Sequence, residues 1–206
     1  MKYKTEALQP ETTYHVYNRA NGDEKLFCSQ DNYNYFLQKY IQYISPVADT
    51  FCYCLMPNHF HFIIRIKSED AITNLQGFQN LEGLKRENIE GFLSKQFSNF
   101  FNSYTKALNK QQNRKGNLFM HTFKRKKVDN TFYLRKLVHY IHFNPIEAGM
   151  CKAPDKYFNS SYRSLISNAK TLLKREETIS WFDDLDNFKF IHNHPPQITG
   201  IDLSFL

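Results

Sequence analysis

The chain has 206 residues, of which 41% are apolar, so it can bury a core and is not expected to be disordered throughout. Its formal net charge is +7, and no apolar run approaches membrane-spanning length. These properties argue against a membrane protein and favour a polyanionic partner.

The first half of the chain predicts a strand, a helix and a hairpin. Alternation and turn residues place strands at Thr12–Arg19, Phe51–Met56 and His59–Ile66, the last two joined by Pro57-Asn58. A helix is expected from Asp31 until Pro46, because its aromatic residues share one stripe. Residues 67–90 are polar and irregular, which indicates a loop with a short helix at most.

The second half predicts a helix, a strand and a second helix. Gly91–Gln112 carries an apolar stripe that is typical of an amphipathic helix, and Leu118–Val128 has the pattern of a strand. Another helix is expected from Phe132, with Asp129 or Asn130 as its N-cap and Pro145 as its end.

This order of elements predicts an α+β fold, a ferredoxin-like antiparallel sheet with helices packed on it. We expect the main domain to cover residues 1–165. Residues 166–206 have a weaker pattern, and we interpret them as a C-terminal appendage of unknown role.

The positive charge is concentrated between residues 91 and 128. This segment contains nine basic residues and no acidic one, so its own charge exceeds the net charge of +7 of the whole chain. A cluster of this kind favours nucleic acid as the partner, the alternative being a solvated basic face without a partner. The candidate DNA-binding residues are Lys95, Lys106, Lys110, Arg114, Lys115, Lys124, Arg125, Lys126 and Lys127.

Cysteine usage indicates a reducing compartment. Cys52 and Cys54 lie two apart in an apolar strand, which is typical of core thiols rather than of a metal or redox pair. Because no apolar leader follows Met1, we expect a cytoplasmic protein with reduced thiols.

His59 and His61 are the first candidate site. Residues i and i+2 of a strand point to the same face, so the two imidazoles can converge on one cation. Ordinary strand histidines are the alternative, but polar side chains inside an apolar hairpin favour metal ligands. A similar pair, His192 and His194, lies in the C-terminal region beside Pro195 and is not favoured as a site.

Tyr140 and Asn144 are the second candidate site. They lie four residues apart and therefore share one face of the predicted helix. From the residues alone, Tyr140 fits an amphipathic edge position with its hydroxyl in water.

Several motifs together resemble a known family. Met56-Pro57-Asn58-His59-Phe60-His61-Phe62-Ile63-Ile64 looks like the His-hydrophobe-His motif of the HUH single-tyrosine transposases. Tyr140-Ile141-His142-Phe143-Asn144-Pro145-Ile146-Glu147-Ala148-Gly149 resembles the tyrosine helix of the REP-associated tyrosine transposases. Shorter matches occur at Tyr14–Arg19, Gly116–Phe119 and Asn159–Ser164, so the resemblance covers about residues 10–165.

This resemblance implies a transposase that cuts and rejoins DNA. His59, His61 and Asn144 would be the metal ligands and Tyr140 the nucleophile. The family acts on single-stranded or hairpin DNA through a 5′-phosphotyrosine intermediate, and it includes homodimers. Two imidazoles and one amide leave ligand positions open, which suits Mg²⁺ or Mn²⁺ as the metal.

Two other functions remain open at this point. A non-catalytic nucleic-acid-binding module, such as a domesticated transposase, would bind DNA without forming a covalent adduct. A metal-dependent phosphoesterase with water as its nucleophile would cleave DNA without trapping the protein.

Overall fold

The computed structural model describes residues 6–75, 89–120 and 123–197 of the chain. Within these described residues, four strands form one sheet in the order β2-β3-β1-β4, and every neighbouring pair is antiparallel. The strands are β1 (Thr13–Arg19), β2 (Ala48–Met56), β3 (His59–Ile66) and β4 (Lys124–Lys127). The helices are α1 (Gln30–Tyr43), α2 (Glu69–Thr73), α3 (Ile89–Gln111), α4 (Thr131–Glu147), α5 (Tyr162–Ile166), α6 (Arg175–Ser180) and α7 (Leu185–His192), with a 3-10 turn at Pro154–Lys156.

Each face of the sheet carries its own apolar core. Phe60, Phe62 and Ile64 of β3 pack with α1 and α3 on the first face. Ile63 of the same strand packs with α4, α5 and α7 on the second face. Alternation along β3 therefore directs His59 and His61 toward α4, because they share the parity of Ile63. The predicted α+β, ferredoxin-like sheet is confirmed.

The edge strand β2 is covered by later parts of the chain. Leu55 N–H donates to the Asn159 carbonyl at 2.9 Å, and Ser161 N–H donates to the Tyr53 carbonyl at 2.9 Å. Further along the strand, Lys174 N–H donates to the Thr50 carbonyl at 2.9 Å. These bonds satisfy backbone groups that an edge strand would otherwise leave exposed.

The region expected to be an appendage contributes to the second core. Phe182 and Phe188 are buried there, and Glu177 forms two hydrogen bonds with the Arg65 guanidinium at 2.7 and 2.9 Å. The boundary at residue 165 and the role of this region stay predictions. None of the described helices is long and apolar enough to cross a membrane.

Pro145 was predicted to end its helix, but it does not. α4 continues to Glu147, because a proline nitrogen in the last turn removes only the bond to the Ile141 carbonyl, and bonding resumes when Ala148 N–H donates to the Asn144 carbonyl at 3.0 Å. Gly149 then closes the helix with φ +68, and Met150 N–H donates to the Pro145 carbonyl at 2.9 Å. This pattern is a Schellman cap.

The predicted strand over Leu118–Val128 is shorter than expected. Among the described residues of this segment, only Lys124–Lys127 pairs as a strand, whereas Phe119 makes an isolated bridge to Ala20 beyond the end of β1. Residues 121 and 122 lie outside the described ranges, as does most of the loop predicted over residues 67–90. Within the described part of that loop, α2 is the short helix that the sequence allowed.

Candidate active site

β3 and α4 bring the two predicted sites together. His61 is buried on the second face of the sheet, and its ring centroid lies 5.1 Å from that of His59. On α4, Tyr140 is fully buried and Asn144 is 5% exposed. The Asn144 side chain lies close enough to both His59 and Tyr140 to influence the pKa of each. The four side chains thus face one another across the second core.

Both histidines are held in the neutral form. Burial lowers the pKa of His59 to about 4, and the Arg19 guanidinium acts in the same direction. Burial lowers the pKa of His61 well below its ordinary value, and His15 and His59 add to this effect. A neutral imidazole carries the lone pair that a metal ligand requires.

The residues present fit a divalent cation. His59 Nε2 and Asn144 Nδ2 are buried, and neither makes a hydrogen bond of normal geometry in the described structure. Buried polar atoms of this kind cost free energy unless a partner is bound. Rotating the Asn144 amide would present its oxygen in place of its nitrogen. The described residues contain no group of three or more His, Cys, Asp or Glu side chains suited to a metal, so the candidate set is two imidazoles and one amide.

Tyr140 does not occupy the amphipathic edge position that its sequence alone favoured. Its side chain is fully buried, and burial raises the pKa of its phenol to about 12. The Glu147 carboxylate raises this pKa further, and the Asn144 side chain opposes the shift. Deprotonation at neutral pH would therefore need a cation or base close to the phenol.

The nine basic residues predicted to bind DNA are divided between the two faces of the sheet. Lys124 and Lys126 are exposed on the face that carries His61, where their ammonium groups lie 5.8 Å from the rings of Tyr17 and Tyr133. Arg125 points to the other face, with its guanidinium 4.9 Å from the Phe123 ring.

The remaining predicted residues lie away from the candidate active site. Lys95, Lys106 and Lys110 are exposed on α3, whose apolar stripe packs on the first face. Lys127 is the register partner of Tyr14, a member of the first core, and Lys115 is exposed in the loop after α3. In that loop, Arg114 pairs with Glu24 and also bonds to Asn109.

Two side chains that contact the histidines were not among the predicted site residues. His15 Nε2 lies 3.0 Å from His61 Nδ1, and the Asn58 side-chain oxygen lies 2.7 Å from His59 Nδ1. His15 is 2% exposed, and its ring stacks on Tyr17 at 4.6 Å between centroids. The signals in the sequence were a histidine inside the first strand and an asparagine directly before His59.

A second histidine cluster lies on α4 and α7. His142 Nδ1 is 3.0 Å from His192 Nε2, and His142 Nε2 is 2.8 Å from Ser161 Oγ. His192 Nδ1 donates to the Phe188 carbonyl at 2.8 Å, so its Nε2 accepts from His142. His142 Nε2 in turn accepts from the Ser161 hydroxyl. Because these ring nitrogens are satisfied within the protein, we interpret this cluster as structural.

The buried thiols are the core residues that the sequence predicted. Cys52 and Cys54 are fully buried and free, and burial raises the pKa of each thiol. A thiol with a raised pKa is a poor nucleophile and a poor ligand at neutral pH.

Comparisons with known proteins support the fold. No family model matches the chain, and no curated protein matches it. A solved structure of a REP-associated tyrosine transposase bound to a REP hairpin is similar over 84% of this chain and 94% of that one, with a TM-score of 0.53 and 16% sequence identity. At this identity the likeness concerns the fold alone: the chain shares the four-stranded antiparallel sheet, with helices packed on it, of a tyrosine transposase.

Proposed function

We propose that the chain is a transposase-like endonuclease and strand transferase that acts on single-stranded, hairpin-bearing DNA. The observation that supports this proposal most directly is that His59 and His61 of β3 lie close to Tyr140 and Asn144 of α4. The likeness to a tyrosine transposase bound to a hairpin supports the substrate class.

In this proposal His59, His61 and Asn144 hold Mg²⁺ or Mn²⁺. The bound cation supplies Lewis-acid stabilisation of the charge on a phosphodiester. Tyr140 gives its proton to solvent and its oxygen attacks phosphorus, so the 5′-phosphotyrosine bond forms as the bond to the 3′-oxygen breaks and that oxygen takes up a proton from solvent. The released 3′-hydroxyl can later reverse this step, and the phosphotyrosine conserves the bond energy for rejoining without ATP.

The nucleophile is tested by trapping the covalent intermediate. Labelled hairpin-bearing single-stranded DNA is incubated with Mn²⁺ and the protein, and adducts are resolved in SDS. Tyr140→Phe should abolish the adduct while leaving DNA affinity within about twofold, because only the phenol oxygen is removed. Tyr133→Phe, seven residues earlier on α4, is the matched control and should still form adducts. Adducts that persist in Tyr140→Phe would show that another group attacks phosphorus.

The metal role is tested in the same assay. EDTA, or the double change His59→Ala and His61→Ala, should remove cleavage, and added Mn²⁺ should restore it only in the wild-type protein. The change His194→Ala, at an exposed histidine, is the control. Undiminished cleavage in EDTA would contradict the metal role.

One observation favours a second candidate function. Tyr140 is fully buried and the pKa of its phenol is raised, which also suits a non-catalytic nucleic-acid-binding protein. That protein would bind the hairpin DNA with no adduct under any metal condition. The trapping assay therefore separates the two candidates.

A further inference from the structure

His59 and His61 use the same ring nitrogen to contact a neighbour. His59 Nδ1 lies 2.7 Å from the Asn58 side-chain oxygen, and His61 Nδ1 lies 3.0 Å from His15 Nε2. A neutral imidazole carries one N–H, so the neighbour of one nitrogen decides whether the other has a lone pair.

For His59 the assignment follows from the acceptor. An amide oxygen only accepts, so His59 Nδ1 donates and Nε2 keeps its lone pair. For His61 two arrangements satisfy the contact with His15. Either His61 Nδ1 donates to His15, or His15 Nε2 donates to His61. Only the first arrangement leaves a lone pair on His61 Nε2.

We propose that His15 and Asn58 are positioning residues that hold both histidines in the Nδ1–H form, which gives each Nε2 the lone pair that a metal ligand requires. The ligand role rests on the proposed function, whereas the protonation pattern is a property of the metal-free protein. When a histidine binds a metal through one ring nitrogen, a neighbour that accepts the N–H of the other ring nitrogen fixes the ring and strengthens metal binding.

The fold makes His15 well suited to this task. It lies on β1, beside β3, and the strand register pairs His61 with Tyr17, so His15 is the diagonal neighbour of His61 on the same face. The His15 and His61 rings stack at 5.2 Å, and both side chains are buried. Burial limits the access of water as a competing partner, and stacking restricts the orientation of the two rings.

The first test measures protonation directly. NMR of the metal-free protein, labelled with ¹⁵N and ¹³C at histidine, distinguishes Nδ1–H from Nε2–H imidazoles. We expect His59 and His61 both in the Nδ1–H form near neutral pH. His61 in the Nε2–H form would overturn the proposal, whatever the protein does with DNA.

The second test measures Mn²⁺ affinity by titration calorimetry. His15→Phe keeps an aromatic ring but removes the acceptor, and Asn58→Ala removes the other acceptor at an exposed position. Each should weaken Mn²⁺ binding roughly 10- to 100-fold. His15→Gln and Asn58→Asp keep an oxygen acceptor and should recover affinity, while His194→Ala should leave it unchanged.

The outcomes separate this proposal from the proposed function. If the wild-type protein binds Mn²⁺ and both acceptor-removing variants bind it equally well, the positioning role is wrong and the proposed function stands. If the wild-type protein does not bind Mn²⁺, the metal role in the proposed function fails, and the NMR measurement still decides the protonation pattern.

Discussion

Asn144 occupies a position where function and stability conflict. It is 5% exposed, and its Nδ2 makes no hydrogen bond of normal geometry in the described structure. A buried, unsatisfied amide typically costs about 1–3 kcal/mol. Such a cost is explained if the side chain serves as a ligand, because a bound cation would then satisfy it.

This conflict predicts opposite effects of one substitution. Asn144→Leu keeps the branched shape of the side chain and removes the unsatisfied amide nitrogen, so the metal-free protein should keep its free energy of unfolding or gain up to roughly 1 kcal/mol. The same change should lower adduct formation at least tenfold. Urea denaturation and the trapping assay measure the two effects. A loss of stability above about 1 kcal/mol would indicate that Asn144 is a structural residue.

The histidine pair could be predicted from the sequence, whereas its neighbours could not. Residues that lie two positions apart on a strand point to the same face of the sheet. Local geometry alone therefore places the side chains of His59 and His61 side by side. His15 contacts His61 across 46 positions of sequence, and only the register of β1 with β3 brings them together. Strand alternation gives the face of a residue but not the register of its strand.

At the scale of elements, prediction succeeded where the pattern was local. The hairpin of β2 and β3 and the stripe of α3 follow from alternation and helical spacing. It failed for Pro145, because the Schellman cap at Gly149 lets α4 run past the proline. It also failed to indicate that Lys174 and Glu177 pack against β2 and β3, since these contacts join distant parts of the chain.

The contact between α4 and α7 makes stability depend on pH. Burial lowers the pKa of His142 to about 3 and that of His139 to about 4, and it lowers the pKa of His192 well below its usual value. Below the ordinary histidine pKa of about 6.5, the unfolded chain therefore binds more protons than the folded one. The free energy of unfolding should fall as pH drops from about 6.5 toward 4.

Urea unfolding at pH 7.5, 6.0 and 5.0 measures this dependence. Each such histidine contributes at most about 1.4 kcal/mol per pH unit within the window. His142→Gln should reduce the slope, because it removes a titrating group. A free energy of unfolding that stays constant or increases as the pH is lowered from 7.5 to 5.0 would show that these histidines are not held in the neutral form.

At the scale of the whole molecule, the sheet separates the second face, which carries the candidate active site, from the first face, which carries the core helices α1 and α3. The second face carries the histidine pair, α4 and the exposed ammonium groups of Lys124 and Lys126. The first face carries α1 and α3, so the lysines of α3 are on the opposite side of the sheet. A basic segment that is continuous in sequence is therefore divided in space, and only part of it lies beside the candidate site.

This division predicts which lysines bind unpaired DNA. In the Tyr140→Phe protein, which cannot cleave in the proposed function, Lys124→Gln with Lys126→Gln should weaken binding to a single-stranded oligonucleotide. The slope of log K against log salt should fall in magnitude by about 1.4, because each lost phosphate contact removes about 0.7 for a single strand.

The matched control is Lys95→Gln with Lys106→Gln on α3, which removes the same charge from the other face. Fluorescence anisotropy at several salt concentrations measures both double variants. Because counterion release requires close contact with phosphate, the α3 variant should keep the slope of the Tyr140→Phe parent. An equal decrease of the salt slope in both double variants would mean that net charge, rather than the second face of the sheet, governs DNA binding. The placement of the DNA beside His61 and Tyr140 would then be wrong.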